Sequence, residues 1–363
     1  MRRTLALAAL LCWATQCVVA AESKYGLKEG TPDIQSAGPL GFGPDGILLV
    51  GDTQLAAIFA IDTGDKSGDP SGAKIQVENA SEAIAGLLGV QPRDVMINDL
   101  VVNPASGNAY LSVSRGRGPD AAPVLLKVDS SGKFSEVSLK NVPFAKAALP
   151  NPPAPGGEGR NNRRAMAITD IAYVDGQVFI AGLSNEEFAS NLRSIPFPFQ
   201  KVDSGASVEI YHGAHGAYET RSPVRTFAPF TIKGEAHLLA AYTCTPLVKF
   251  RVAELKSGQK VKGTTIAELG NRNNPLDMIV YQKDGKDYLL IANTARGVMK
   301  VSTDNAADQT PITERVNGTL GLKYDTIADL KGVQQLDRLN DRMAVVLIQN
   351  EAGDQQIKTV PLP

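Results

Sequence analysis

Cysteine is scarce in this chain: three in 363 residues, at positions 12, 17 and 244. So few exclude tandem Cys-x-x-Cys zinc sites and Cys-x-x-Cys-His haem attachment. Histidine is equally scarce, at 212, 215 and 237, which leaves few options for a Ser-His-Asp set. No Gly-x-Ser-x-Gly elbow is present to supply the nucleophile of such a set. Charge of either sign is not in excess: 37 Lys and Arg face 38 Asp and Glu, a net charge of −1. That balance gives no electrostatic reason for a nucleic-acid or anionic-membrane partner. No apolar run approaches the roughly 20 residues a membrane span needs, so no membrane insertion is expected.

What is present begins with a leader, "MRRTLALAALLCWATQCVVAAES". Arg2 and Arg3 make a charged start, residues 5–13 an apolar stretch, and Val19-Ala20-Ala21 a small-residue cleavage site. This three-part pattern predicts a signal peptide over residues 1–21 and a secreted or periplasmic product over residues 22–363. Its removal takes Cys12 and Cys17, leaving Cys244 with no partner for an internal disulfide. A hydrophobic content of 43% supplies a core without such bridges.

The stretch "DYLLIANTARGVMKV" (residues 287–301) reads as two apolar strands joined by a tight turn. The same order recurs in "HLLAAYTCTPLVKFRV" (237–252), "ILLVGDTQLAAIFAID" (47–62) and "AYLSVSRGRGPDAAPVLLKVD" (109–129). "VFIAGLSNEEFASNLRSI" (178–195) and "MAVVLIQNEAGDQQIKTV" (343–360) complete a set of six. Each copy follows a short apolar run and a turn, marked by Gly46, Gly107, Gly176, Gly234, Gly285 and Asp341. The markers recur every fifty to seventy residues or so, a period at which three or four short strands form one propeller blade. A four-stranded blade buries its two faces only by stacking radially on its neighbours. The expected fold is therefore all-β, a six-bladed β-propeller in one domain, with one short helix in an inter-blade loop.

In strand pattern and blade count these units resemble the six-bladed NHL and YVTN propellers and the gluconolactonase and paraoxonase propellers. The resemblance implies fold and leaves activity to the site residues. Closure of the ring is expected through the chain ends, with residues 24–36 pairing near residues 356–362, because an open ring would leave a long unpaired edge.

Loop lengths point to one face. The segments 79–98, 143–166 and 212–226, with the insert "SNEEFASNLR", all fall on the side of the B–C and D–A connections, strands being lettered A to D outward. Within 79–98 a helix is expected, with Ser81 as N-cap and Gly89 as its stop. Long loops gathered on one face are where repeat scaffolds place binding sites.

Three sets of side chains carry candidate chemistry there. Asp99, Asp170 and Asp277 each stand one position before the apolar residues of strand A and should converge at the channel mouth, with Asn98, Asn274 and Asn293 as neighbours. Such oxygen donors suit a calcium ion; the alternative is that each aspartate bonds backbone and latches adjacent blades. His212 and His215 in "HGAHG", with Cys244 in the blade-four turn, offer nitrogen and sulfur ligands suited to zinc or copper, with Glu219 or water as a fourth. Arg160, Arg163 and Arg164 in "GGEGRNNRR" offer a phosphate or carboxylate site, though without the strand–helix context of a nucleotide loop.

The reading these features favour is an exported binding or scaffolding propeller that holds a small molecule or protein on its loop-rich face. The alternative is a calcium-dependent hydrolase of the lactonase or arylesterase class, whose channel metal would polarise a carbonyl.

Overall fold

The computed structural model describes residues 24–363 except Glu158, Arg160 and Asn161, so the leader and Arg160 lie outside the described residues. Among them, no helix is long and apolar enough to cross a membrane. The strands form six sheets arranged as the six blades of a propeller, antiparallel throughout except where Lys260–Lys262 pairs in parallel with Ala206–His212. All six hairpins legible in the sequence are the B and C strands. They are Ile47–Asp52 with Ala57–Asp62, Ala109–Arg115 with Ala122–Val128, and Gln177–Leu183 with Ser190–Pro196. Glu235–Tyr242 with Pro246–Arg251, Lys286–Asn293 with Gly297–Ser302, and Met343–Gln349 with Gln355–Pro361 follow. The marker glycines Gly107, Gly176, Gly234 and Gly285 all have φ between +74 and +81°, the left-handed turn conformation glycine adopts without strain.

The innermost strands are Leu40–Phe42, Val95–Val102, Asp170–Val174, Val224–Ile232, Pro275–Lys283 and Val333–Arg338, for blades 1 to 6 in chain order. Their contacts give the ring order 1–3–4–5–6–2, so blades 1 and 2 are exchanged relative to the chain. After strand C of blade 1 the chain crosses blade 2 and adds Gln76–Val77 as the outer strand of blade 6. It then forms the helix Ala80–Leu88, builds blade 2, and returns Val142–Ala148 as the outer strand of blade 1. The crossing is held on blade 2 by Asp65, whose carboxylate accepts from Ser106, Asn108 and Tyr110.

Closure through the chain ends is thereby corrected. Lys28–Gly30 pairs with Val142–Ala148 at the edge of blade 1, and Gln76–Val77 covers the last strand of blade 6. The edge to be covered is the one foreseen, but the segment between blades 1 and 2 in the chain covers it instead of the N-terminal one. Residues 143–148, expected in a loop, belong to that returning strand.

The helix is where it was expected and stops at Gly89, whose φ of 67° is left-handed. Its N-cap, however, is Asn79, and Ser81 instead donates its hydroxyl to Gln355 Oε1 of blade 6. Buried apolar side chains collect into six clusters, one in each seam between adjacent blades. Ile75, Ile84 and Leu88 fill the seam between blades 6 and 2 beside Val345, Leu347 and Ile357. The core is thus a ring of wedges around a polar axis, which is why the site can lie on that axis.

Candidate functional site

Asp99, Asp170 and Asp277 lie together on the channel wall, and a fourth carboxylate, Asp337, stands in the same register near the end of blade 6's inner strand. Each aspartate spends one oxygen on the amide of the next residue: Leu100, Ile171, Met278 and Arg338. The other oxygen accepts an amide from the neighbouring blade. The pairs are Asp99 with Leu40, Asp170 with Phe227, Asp277 with Leu336 and Asp337 with Val102, all at 2.7–2.8 Å. These are the latches weighed above, and they staple four of the six seams.

The latches do not keep the carboxylates apart. In the amide orientation that satisfies both neighbours, Gln335 Nε2 donates to Asp99 Oδ1 at 2.9 Å and to Asp277 Oδ2 at 3.0 Å. Burial pushes all four carboxyls up, Asp99 to about 8 and Asp170 and Asp337 to about 6. Asp277 is also driven upward, by burial first and then by the Asp99 charge. Like charges held in one channel favour the protonated form of at least one member.

Asn98 sits at this mouth but donates to Ala37 O and Ser114 Oγ. Asn293 takes no part: its amide donates to Ile291 O and Gly297 O and accepts from Asn273, inside the turn of blade 5. Asn274 is likewise an exposed turn residue whose amide N–H donates to Thr294.

Above the aspartates, on the loop-rich face, opens a cavity of about 430 Å³ lined by Asn98, Ser114, Thr169, Arg225 and Gln335. Below them lies an opening of about 450 Å³ with apolar walls that include Leu100, Ile171, Phe227 and Met278. The girdle therefore stands between the two openings, and the polar side chains named above ring the one on the loop-rich face. Arg225 is half-buried, and burial holds its guanidinium below the usual range, with no acidic group among the described residues to offset it.

The arginine loop stands beside this mouth. Arg163 is exposed, while Arg164 is half-buried and its Nε has no hydrogen-bond partner. Arg164 and the loop glycines line a further cavity of about 790 Å³ against Thr53 and Gln54 of blade 1.

His212, His215 and Cys244 are brought together on the same face, with their donor atoms within 4.8 Å of one another. His212 ends the outer strand Ala206–His212 of blade 3, His215 lies in the turn that follows, and Cys244 lies between the B and C strands of blade 4. Glu219 Oε1 stands 2.5 Å from His215 Nδ1 and 3.1 Å from His212 Nδ1. Burial alone would raise the Glu219 carboxyl, but contacts with His212, Ser222 and His215 outweigh it and hold it at about 2. His237 is on the opposite face, as expected, with Nδ1 2.9 Å from Glu235 O.

Two residues escaped sequence reasoning. Asp337 repeats the register of the other three, but the position after it is Arg338 rather than an apolar residue, and that hid the match. Arg225 stands alone in "SPVRTF", and nothing local marks it as facing a channel.

The fold and axis together define a six-bladed β-propeller with a carboxylate girdle and a polar mouth on its loop-rich face. No family model and no curated protein sequence matches this chain. Among solved structures, it is similar to the PQQ-bound aldose sugar dehydrogenase from Streptomyces coelicolor. That match has 12% identity and a TM-score of 0.39, covering 92% of this chain and 96% of the other. It is also similar to an engineered GH43 glycoside hydrolase at 12% identity and a TM-score of 0.40, covering 74% of this chain and 51% of the other. At such values neither likeness informs the chemistry of this chain.

Proposed function

We propose that the protein is an exported binding propeller that takes a small carboxylate- or phosphate-bearing molecule at the polar mouth of its channel. The observation that supports this reading is Arg225, a half-buried guanidinium on the wall of that cavity with no acidic partner among the described residues. A desolvated, unpaired arginine is stabilised by a bidentate anion more than an exposed one would be. Asn98, Ser114 and Thr169 add hydrogen-bonding groups around it. The raised pKa values of the girdle favour this further, because a floor that keeps some protons near neutral pH repels an anion less than four carboxylates would. Arg164, on the adjoining loop, is a second cation within the same region of the face.

The crowding of four carboxylates favours a second reading, a calcium-dependent hydrolase of the lactonase or arylesterase class. It is the weaker of the two, since both oxygens of every aspartate already accept backbone amides, and calcium needs six or more oxygens free to turn toward it.

A panel of di- and tricarboxylates, inorganic phosphate and sugar phosphates, screened by thermal shift and titration calorimetry, tests the first reading. At least one member should raise the melting temperature, and Arg225→Gln should weaken its binding by about tenfold or more. No stabilising anion, or equal binding by Arg225→Gln, would overturn it.

A further inference from the structure

We propose that His212, His215 and Cys244 form a mononuclear zinc-class metal site in the seam between blades 3 and 4, separate from the channel mouth. Two imidazoles and a thiolate are the ligand types zinc prefers, and three protein ligands leave a fourth position open on the loop-rich face.

The geometry is close to what an ion requires. Donors on a tetrahedral zinc stand roughly 3.5 Å apart, given bonds of about 2.0–2.3 Å. The three donor atoms here lie within 4.8 Å of one another. Small rotations of the half-exposed His215 ring and of the Cys244 thiol close the remaining distance.

The backbone that presents these groups is already held. His215 and Gly216 N–H both donate to His212 O, and Cys244 N–H donates to Asn273 O of the next blade's approach. Cys244 and Thr245 sit at φ of 63 and 59°, a left-handed conformation unfavourable for side-chain-bearing residues. The hairpin turn thus accepts some strain and places a thiol at the seam.

His212 is the strongest sign. It is only 2% exposed, its Nδ1 stands 3.1 Å from Glu219 Oε1, and among the described residues its Nε2 has no hydrogen-bond partner. A buried polar group with no partner is unfavourable, and a metal bound to the ring removes that penalty. Glu219 faces the Nδ1 atoms of both histidines, the arrangement in which a carboxylate orients the rings and leaves the second nitrogen for an ion. Glu268 lies beside the pair, accepting from Gly213 N–H with one oxygen and leaving the other unpartnered. These two carboxylates balance the positive charge that a divalent ion brings into a half-buried seam.

The test uses the full chain, stripped with chelator and reductant and then titrated with cobalt(II) as a spectroscopic substitute for zinc. One equivalent should bind, with the visible bands of four-coordinate cobalt and a thiolate-to-cobalt charge-transfer band, and zinc should displace it. Cys244→Ser should lose the charge-transfer band, and His215→Gln should weaken cobalt binding by about tenfold or more. Both positions reach the surface, so these variants should melt like the wild-type apoprotein, whereas the buried His212 is left intact. His237→Gln, on the other face, should titrate as wild type. Arg225→Gln should too, which separates failure here from failure of the channel-mouth reading. Absence of the bands in the wild-type chain, their survival in Cys244→Ser, or cobalt binding indifferent to both substitutions would overturn the assignment.

Discussion

Stability should be greatest at about pH 4 and fall as the pH is raised to about 8, and Asp99→Asn with Asp277→Asn should flatten that fall. An unfolded aspartate titrates near 3.9, whereas Asp170 and Asp337 in the fold titrate at about 6 and Asp99 at about 8, with Asp277 raised as well. Between pH 4 and 8 the folded chain therefore holds more protons than the unfolded one, and stability declines as pH rises. Each excess proton contributes a slope of about 1.4 kcal/mol per pH unit. The decline should be steepest between about pH 4 and 6, where most of the girdle differs from the unfolded state, and should continue more gently to 8. Below pH 4 the sign reverses, because Glu219 is held at about 2 and loses its contacts on protonation. Melting temperatures at fixed ionic strength across this range provide the check. The double Asn variant removes the two most strongly raised groups. It loses some latch bonds and should be less stable throughout, so the slope rather than the absolute value is diagnostic. A flat or rising profile in the wild-type chain would contradict the protonated girdle.

Ile75→Ala should destabilise the entire ring by about 2–5 kcal/mol, the range for emptying a fully buried isoleucine site. Ile75 is fully buried in the seam of blades 6 and 2 and begins the segment that closes the outer edge of blade 6. Its N–H donates to Thr359 Oγ1, and its carbonyl accepts from Thr359 N–H. Because the same segment ties blades 1, 2 and 6 together, the loss should not be confined to residues near 75. Denaturant unfolding should remain one transition at lower midpoint, and hydrogen exchange should quicken in blades 2 and 6 alike. A change below about 1 kcal/mol, or exchange that quickens only near residues 73–77, would show that closure lies elsewhere.

The sequence by itself determined the blades. Alternating apolar runs and turn residues are local signals, and six hairpins repeated with them leave little choice of architecture. The same local register placed Asp99, Asp170 and Asp277 at equivalent points of strand A, and rotation about an axis then brings them together. It also placed His212, His215 and Cys244 on one face, since strand parity alone decides to which end of a blade a turn belongs. Only the tertiary structure decided the order of the ring. The pairing of Gln76–Val77 with Ile357 and Lys358 spans most of the chain, and two residues carry no pattern from which to read it. The same holds for Arg225 at the channel mouth and for Asp337, whose neighbour Arg338 breaks the apolar mark. Propensity and periodicity act over a few residues. Seam packing and edge covering depend on which surfaces meet, and that is settled only when the whole ring closes.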